Sequence, residues 1–219
     1  DAMGGWTAEA RGASEVPALP APGPARLALV DRPGSKQANL TVAQTLNLKP
    51  TDDDYLAFLV MNQILGGSAT SRLFLNLRVD KGFTYGSYSR PQALVKGVLW
   101  TATAEVRNEV VAPALEEMRK EIALMRDELV TDSALGAVVR YLAGLFLLKL
   151  SSIDYTADAL AGYERNRQSA ERELATYLAR LNALTPEDIR RVAQKYLDPD
   201  KMTAVVVGDE AALKLNGAR

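Results

Sequence analysis

The stretch LGGSATSRLFLNLRVDKGFTYGSYS, residues 65–89, changes from helix to strand within 25 positions. The pair Gly66-Gly67 predicts the end of one helix, because glycine adopts the backbone conformations of a helix C-terminus at low steric cost. The apolar spacing that follows predicts a short helix over residues 71–81, with Gly82 as its stop, and then a strand. We therefore expect helices and strands to alternate in one mixed fold.

Alternating apolar residues elsewhere predict further strands. The predicted strands cover residues 26–30, 39–48, 84–92, 97–106 and 202–208. The last of these is nearly continuous in apolar residues, which is typical of a strand buried on both faces. From residue 110 the pattern is helical for nearly ninety residues. This order predicts the α+β class: two layers, with a largely antiparallel sheet and helices packed on one of its faces.

Two further predictions concern the start of one helix and the burial of another. Thr51, with Asp54 three residues later, predicts a capping box at the start of the first helix. Residues 137–150 form the longest apolar stretch, interrupted by Arg140 and Lys149. A membrane-spanning helix needs about 20 apolar residues, so this stretch predicts a helix buried inside the protein and no membrane span.

Glycine and proline mark the N-terminal part of the chain. Gly4-Gly5 and the prolines within residues 17–24 interrupt any repeating apolar face. Residues 1–25 are therefore predicted to be a flexible tail and Pro-rich linker. Residues 26–213 are predicted to form a single domain, and residues 214–219 a second tail. Because the chain does not begin with methionine, we expect a processed or excised part of a longer protein.

The composition excludes several classes of protein. The 219 residues include 26 basic and 27 acidic side chains, which give a net charge of −1, whereas a nucleic-acid-binding domain normally carries a basic excess. Cysteine and histidine are both absent. Their absence removes disulfides, cysteine nucleophiles, the Ser-His-Asp constellation and the histidine-bearing zinc motifs. We therefore expect neither nucleic-acid binding nor metallohydrolysis by this chain alone.

Candidate sites chosen by residue type alone are weak. The loop Gly66-Gly67-Ser68 lacks the lysine of a phosphate-binding loop, so a helix end is favoured there over an anion site. The carboxylates are scattered over predicted helix faces and helix starts, and no pair is spaced for general acid–base catalysis. Serines such as Ser68 and Ser71 have no histidine to activate them.

Residues 65–89 resemble the C-terminal half of the pitrilysin, insulinase and mitochondrial-processing-peptidase family of zinc peptidases. The ending LTPEDIRRVAQKYLDPDKMTAVVVGD, residues 184–209, and the early Arg32-Pro33-Gly34 are similar to the same family. Such proteins pair two homologous halves, of which the active half carries an inverted His-x-x-Glu-His zinc motif. The other half carries no metal ligands but supplies an arginine and a tyrosine, seven positions apart, to the shared chamber.

Arg78 and Tyr85 have this spacing. The resemblance implies that both bind the peptide substrate and that Tyr85 also acts as a catalytic contact that stabilises the transition state. An arginine donates well to peptide carbonyls, and a tyrosine hydroxyl can donate to a developing oxyanion. The spacing alone, without the resemblance, favours a surface arginine and a tyrosine packed at a sheet edge.

The resemblance thus implies that this chain is the non-catalytic half of a zinc metallopeptidase, either as a domain or as a subunit. It implies a homologous zinc-bearing half and a peptide substrate as partners, with zinc in the partner half and no cofactor or metal site in this chain. It slightly favours a periplasmic over a cytoplasmic location. The alternative is a structural or assembly subunit that has the same fold and no role in proteolysis. The active half is either fused to this chain or a separate polypeptide.

Overall fold

A computed structural model of the protein describes residues 15–213. Within this range five strands form one mixed sheet in the order β1-β5-β2-β4-β3. The strands are β1 (Arg26–Asp31), β2 (Gln37–Leu46), β3 (Thr84–Leu94), β4 (Gly97–Arg107) and β5 (Thr203–Gly208). β1 and β5 run parallel, and the other neighbours run antiparallel. The predicted α+β class with a largely antiparallel sheet is confirmed.

The helices lie between β2 and β3 and between β4 and β5. The first group is α1 (Asp54–Gly66) and α2 (Arg72–Phe74), which continues as a π-helical segment, Leu75–Asp80. The second group is α3 (Val111–Asp127), α4 (Asp132–Leu150), α5 (Ile153–Arg165), α6 (Ala170–Asn182) and α7 (Pro186–Tyr196). Thr185 caps α7 with the reciprocal bonds of a capping box.

The core lies between one face of the sheet and helices α1, α3 and α7. Along β2, Leu40, Val42 and Leu46 are buried on this face, because successive side chains of a strand point to opposite sides. Trp100 of β4 is fully buried beside them. The helices supply further apolar side chains to this core, among them Phe58, Met61, Met118, Ile122, Ile189 and Val192.

The predicted burial of the last strand on both faces is wrong. In β5, Val206 is buried against the helices, whereas Val205 and Val207 on the opposite face are only partly buried. The helices cover one face of the sheet only. On the other face, near the end of the central strand β2, Thr45 Oγ1 donates to the carbonyl of Pro20 at 3.0 Å.

The two ends of the chain are described in part. Residues 15–25 form neither helix nor strand, and Ala25 N donates to the carbonyl of Asp200 at 2.7 Å. The predicted tails over residues 1–14 and 214–219 lie outside the described residues. The proposed domain boundaries stay predictions.

The prediction that the longest apolar stretch is a buried helix is wrong. It forms most of α4, in which only Leu135, Val139 and Phe146 are buried. Leu147 and Leu148 are exposed, because one face alone of this helix packs on the rest of the protein. Within the described residues, α4 is the one helix that is long and apolar enough to cross a membrane, by length and composition only.

The predicted capping box of the first helix is also wrong. The helix begins after Asp53, whose side chain makes no cap hydrogen bond. Asp54 instead faces α7, where it accepts hydrogen bonds from Arg191, Lys195 and the hydroxyl of Tyr196 at 2.6–3.0 Å. The contacts of Asp54 with α7, 137 or more residues away in sequence, thus take the place of the predicted capping bond to Thr51. Burial raises the pKa of Asp54, but the three donors outweigh it and bring the pKa from 3.8 to about 2.

The hydrogen bonds from Arg191, Lys195 and Tyr196 to Asp54 predict that the folded protein loses stability in acid. Because the folded-state pKa of Asp54 is depressed, its contribution is present above about pH 4 and is lost as the pH falls towards 2. After discounting for the exposure of the two cations, we expect about 1–2 kcal/mol. Compared with the wild-type chain, Asp54→Asn should flatten the stability curve between pH 4 and pH 2 in urea unfolding. Equal slopes for the variant and the wild type would contradict the prediction.

Candidate functional site

The segment that carries Arg78 is a helix with a widened last turn. After Phe74 the helix becomes π-helical, and Lys81 N donates to the carbonyl of Asn76 at 2.9 Å, five residues back. Gly82 then adopts φ +62°, a left-handed conformation that favours glycine. The predicted short helix and its glycine stop are confirmed. The sequence did not predict the π-helical turn, which is a feature that occurs frequently at functional sites.

Arg78 lies on the surface of this turn and contacts two groups. Its guanidinium carbon lies 5.3 Å from the centre of the Phe74 ring. Its Nη1 donates to the main-chain carbonyl of Tyr85. The hydrogen bond joins the end of the helical segment to the start of β3, so the structure brings the two predicted residues together through the backbone of the second.

Tyr85 projects from a β-bulge. The register between β3 and β4 shifts between Thr84 and Ser87, which places an extra residue in β3 and re-aims the neighbouring side chains. Tyr85 is 83% exposed. Its hydroxyl has no hydrogen-bond partner among residues 15–213.

Phe74 and Tyr88 complete an aromatic surface beside the pair. Their ring centres lie 5.6 Å apart, and a Cβ added at Gly86 would lie 2.8 Å from the Tyr88 ring. Glycine at that position therefore leaves room for the ring. Sequence reasoning missed both aromatic residues as part of the site. The only signal in the sequence is the repeated tyrosine of Tyr85-Gly86-Ser87-Tyr88.

Two carboxylates of α3 hold the helical segment in place. Glu121 accepts from Arg72 Nε at 2.8 Å and from Asn76 Nδ2 at 2.7 Å. Glu117 accepts from Asn76 at 2.9 Å and from Lys81 Nζ at 3.0 Å. The hydrogen bonds from Asn76 and Lys81 lower the pKa of Glu117. These bonds fix both ends of the segment that carries Arg78.

Comparison with known proteins decides the family. A family model described as the peptidase M16 inactive domain matches residues 1–142, which is more than half of the chain. The chain belongs to the peptidase M16 inactive-domain family. The resemblance to the pitrilysin, insulinase and mitochondrial-processing-peptidase family is thereby confirmed.

Relatives of this M16 inactive domain are longer proteins. A protein of Streptomyces coelicolor named as an uncharacterised zinc protease is 28% identical over 195 residues, which are 88% of this chain and 42% of the relative. The Bacillus subtilis protein YmfF, named as a probable inactive metalloprotease, is 28% identical over 76% of this chain and 38% of its own length. The chain therefore spans about two fifths of these curated relatives.

A solved structure has the same fold. A peptidase M16 inactive domain from Pseudomonas fluorescens shares 26% sequence identity with this chain and gives a TM-score of 0.81. The match covers 91% of this chain and 48% of that one. This M16 inactive domain thus corresponds to less than half of the length of each of these relatives.

A second network holds β3 of the M16 inactive domain against α1. Asn62 Oδ1 accepts from Ser89 Oγ at 2.7 Å and from Trp100 Nε1 at 2.8 Å. Asn62 Nδ2 donates to the main-chain carbonyl of Ser89 at 3.2 Å. All three side chains are buried, so the network satisfies polar groups that would be costly to leave unpaired. It fixes the strand that continues from Tyr85.

The residues present do not fit a zinc site. The sequence contains no histidine or cysteine, and residues 15–213 contain no group of three or more acidic side chains that could hold a metal ion. The arrangement at Arg78 and Tyr85 instead offers hydrogen-bond donors and an aromatic surface. Such groups can bind carbonyl oxygens and stabilise negative charge, but they supply no general base.

The carboxylates of α3 give a test of how the Arg78 segment is anchored. Glu121 is 8% exposed, so Glu121→Gln leaves Arg72 without its charged acceptor in a partly buried position. We expect a loss of about 1–3 kcal/mol in the free energy of unfolding, measured in urea. Glu116→Gln, at an exposed position on the same helix, should change it by less than about 0.5 kcal/mol. Equal effects would show that Glu121 does not anchor the segment.

Proposed function

We propose that this M16 inactive domain contributes Arg78 and Tyr85 to a peptide-binding chamber shared with a zinc-bearing homologous half. The observation that carries the proposal is the joint geometry of the two residues. Arg78 donates to the main-chain carbonyl of Tyr85 while the phenol of Tyr85 is 83% exposed on a bulge. A tyrosine that only packs at the sheet edge would be largely covered.

The donors of Arg78 are only partly used. A guanidinium carries five N–H groups, and Nη1 bonds the carbonyl of Tyr85. The other donors suit the carbonyl groups of an extended peptide, and the Phe74 ring below restricts the orientation of the guanidinium. Arg78 therefore acts in this proposal as a substrate-binding residue.

The hydroxyl of Tyr85 has a different role. It is free of partners within residues 15–213, so it can donate to an oxygen on which negative charge develops during peptide cleavage. A donor aimed at developing charge stabilises the transition state more than the bound substrate. The zinc and the general base would come from the partner half, because this chain has no histidine or cysteine to hold the metal.

The expected substrate is a peptide in extended conformation. A peptide that adds to the edge of a sheet is held by main-chain hydrogen bonds, so its length and conformation matter more than its sequence.

We also infer that α4 lies on the surface of the assembly and does not cross a membrane. Its Phe146 stacks on Tyr177 of α6 at 4.3 Å between ring centres, which supports this inference. Arg140 and Lys149 also interrupt the apolar run.

A second candidate function is that of a structural or assembly subunit. The name of YmfF, a probable inactive metalloprotease, favours this role for at least one relative. In that case the fold and the pairing with another half are kept, while Arg78 and Tyr85 touch no substrate.

Reconstitution separates the two roles. The chain is coexpressed with a homologous half that carries the zinc motif, and complex formation and peptide cleavage are measured. We expect cleavage only when both halves are present. Arg78→Ala should then raise KM about tenfold, the lower end for a hydrogen bond from a charged group.

The matched control is Arg165→Ala at an exposed position on α5, which should leave KM unchanged. A complex that cleaves peptide equally well with wild-type chain and with Arg78→Ala would reject the substrate-binding role. A stable complex without cleavage of any peptide would favour the assembly subunit.

A further inference from the structure

The sheet edge opposite β3 is formed by β1, and its outer side is unpaired within residues 15–213. β1 pairs with β5 alone. Arg26 N donates to the carbonyl of Met202, and Arg32 N to that of Gly208. Because N–H and C=O groups of alternate residues point to opposite sides of a strand, those of Leu27 and Leu29 point away from the sheet.

A groove runs beside this edge, between β1 and α3. Its volume is about 890 Å³, within the range of peptide and ligand sites. Its floor consists of small and apolar side chains, including Leu27, Ala112, Pro113, Ala123 and Met202. The side chains of an added strand that point towards the helix layer would enter this groove.

The rim of the groove carries an excess of positive charge. Four basic residues line it, Arg26, Arg119, Lys120 and Arg126, against the two acids Glu116 and Asp200. Three of these cations lie near carboxylates of the same chain: Arg119 is 3.4 Å from Asp200, Lys120 is 3.8 Å from Glu117 and Arg126 is 3.8 Å from Asp198. Arg26 makes no ion pair within the described part of the chain.

We propose that the β1 edge binds an extended acidic peptide as a sixth strand, with apolar side chains in the groove and carboxylates beside Arg26. The free main-chain groups of β1 require a strand, because a helix has already used its own N–H and C=O groups. The apolar floor provides burial that a free inorganic anion cannot use. The unpaired cation of Arg26 selects carboxylate-bearing peptides over basic ones.

This site is independent of the function proposed for Arg78 and Tyr85. Those residues lie at the β3 end of the strand order, whereas the groove lies at the β1 end. An acidic strand bound there leaves the exposed phenol of Tyr85 untouched. Peptide binding at the β1 edge can therefore be measured independently of any proteolytic activity.

The probe is the peptide acetyl-Glu-Val-Glu-Val-Glu-Val-Glu-amide, titrated into the isotope-labelled chain and followed by NMR. We expect the amide signals of Leu27 and Leu29 to shift. The matching peptide with lysine in place of glutamate should bind at least about tenfold more weakly. N-methylation of the amides of the three valines, or of the last three glutamates, tests the hydrogen bonds, since one of the two sets faces β1.

Variants of the chain test the groove itself. Ala123→Trp should fill it, and Arg26→Glu should repel the peptide, each lowering affinity about tenfold or more. Lys96→Glu, a charge reversal at the exposed β3–β4 turn, is the control and should have no effect. Equal binding of the glutamate and lysine peptides, or tolerance of both N-methylated sets, would overturn the proposal. So would a dimer of the chain that Ala123→Trp abolishes, because the groove would then bind a second copy.

Discussion

Replacement of Tyr85 by phenylalanine is expected to lower kcat about 10²-fold in an assembly of this chain with a zinc-bearing half. The substitution keeps the ring and removes the hydroxyl, which is exposed on the bulge and has no partner within residues 15–213. A bond that strengthens as negative charge develops changes kcat more than KM. Folding and pairing should be unaffected, since the side chain is 83% exposed.

The matched control is Tyr88→Phe. Tyr88 lies three residues along the same strand and packs its ring against Phe74, so loss of its hydroxyl should alter kcat less than about threefold. Steady-state kinetics with the complex demonstrably assembled would compare the two variants. An unchanged kcat for Tyr85→Phe would remove Tyr85 from the catalytic contacts and leave the oxyanion role unsupported.

Gly66→Ala is expected to be the most destabilising single change among those considered. A Cβ at this position would lie 2.3 Å from Ser89 Oγ and 2.5 Å from the main-chain nitrogen of Ser89. Because one of these atoms belongs to the backbone of β3, α1 and β3 must separate. We expect a loss of about 3 kcal/mol or more, at the upper end for overpacking a core, measured as a shift of the urea midpoint.

Gly144→Ala serves as the control for the glycine substitution. Gly144 lies in α4 with no atom within 4 Å of the added Cβ, so alanine there should stabilise the protein by about 0.5–1 kcal/mol. Opposite signs for the two substitutions would support the close approach of α1 to β3. A neutral Gly66→Ala would show that the strand does not depend on this contact.

Much of the fold follows from local patterns in the sequence. The period of two along β2 and β4, the helical spacing in α3 and the glycines at positions 66 and 82 all predict elements that the structure contains. These signals are reliable because each depends on residues that lie close together in sequence.

The features that shape the candidate site depend on distant residues instead. The bulge after Thr84 arises in the pairing of β3 with β4, and without it the period of two would send Tyr85 and Tyr88 to opposite faces. The anchors of the Arg78 segment lie more than 40 residues away, on α3. Asp54 likewise bonds α7 and not its own helix start. Patterns among neighbouring residues of the sequence cannot predict these long-range contacts.

The position of β1 and β3 at opposite ends of the sheet sets a length for any ligand that reaches both. Four interstrand spacings separate the two edges, about 19 Å. An extended polypeptide needs about six residues to cross that distance. A substrate with an acidic strand and a cleavable segment joined by a spacer of this length would be held at two points at once. Its avidity would then rise with the effective concentration of the second segment, and it would fall for spacers that are too short to cross the sheet.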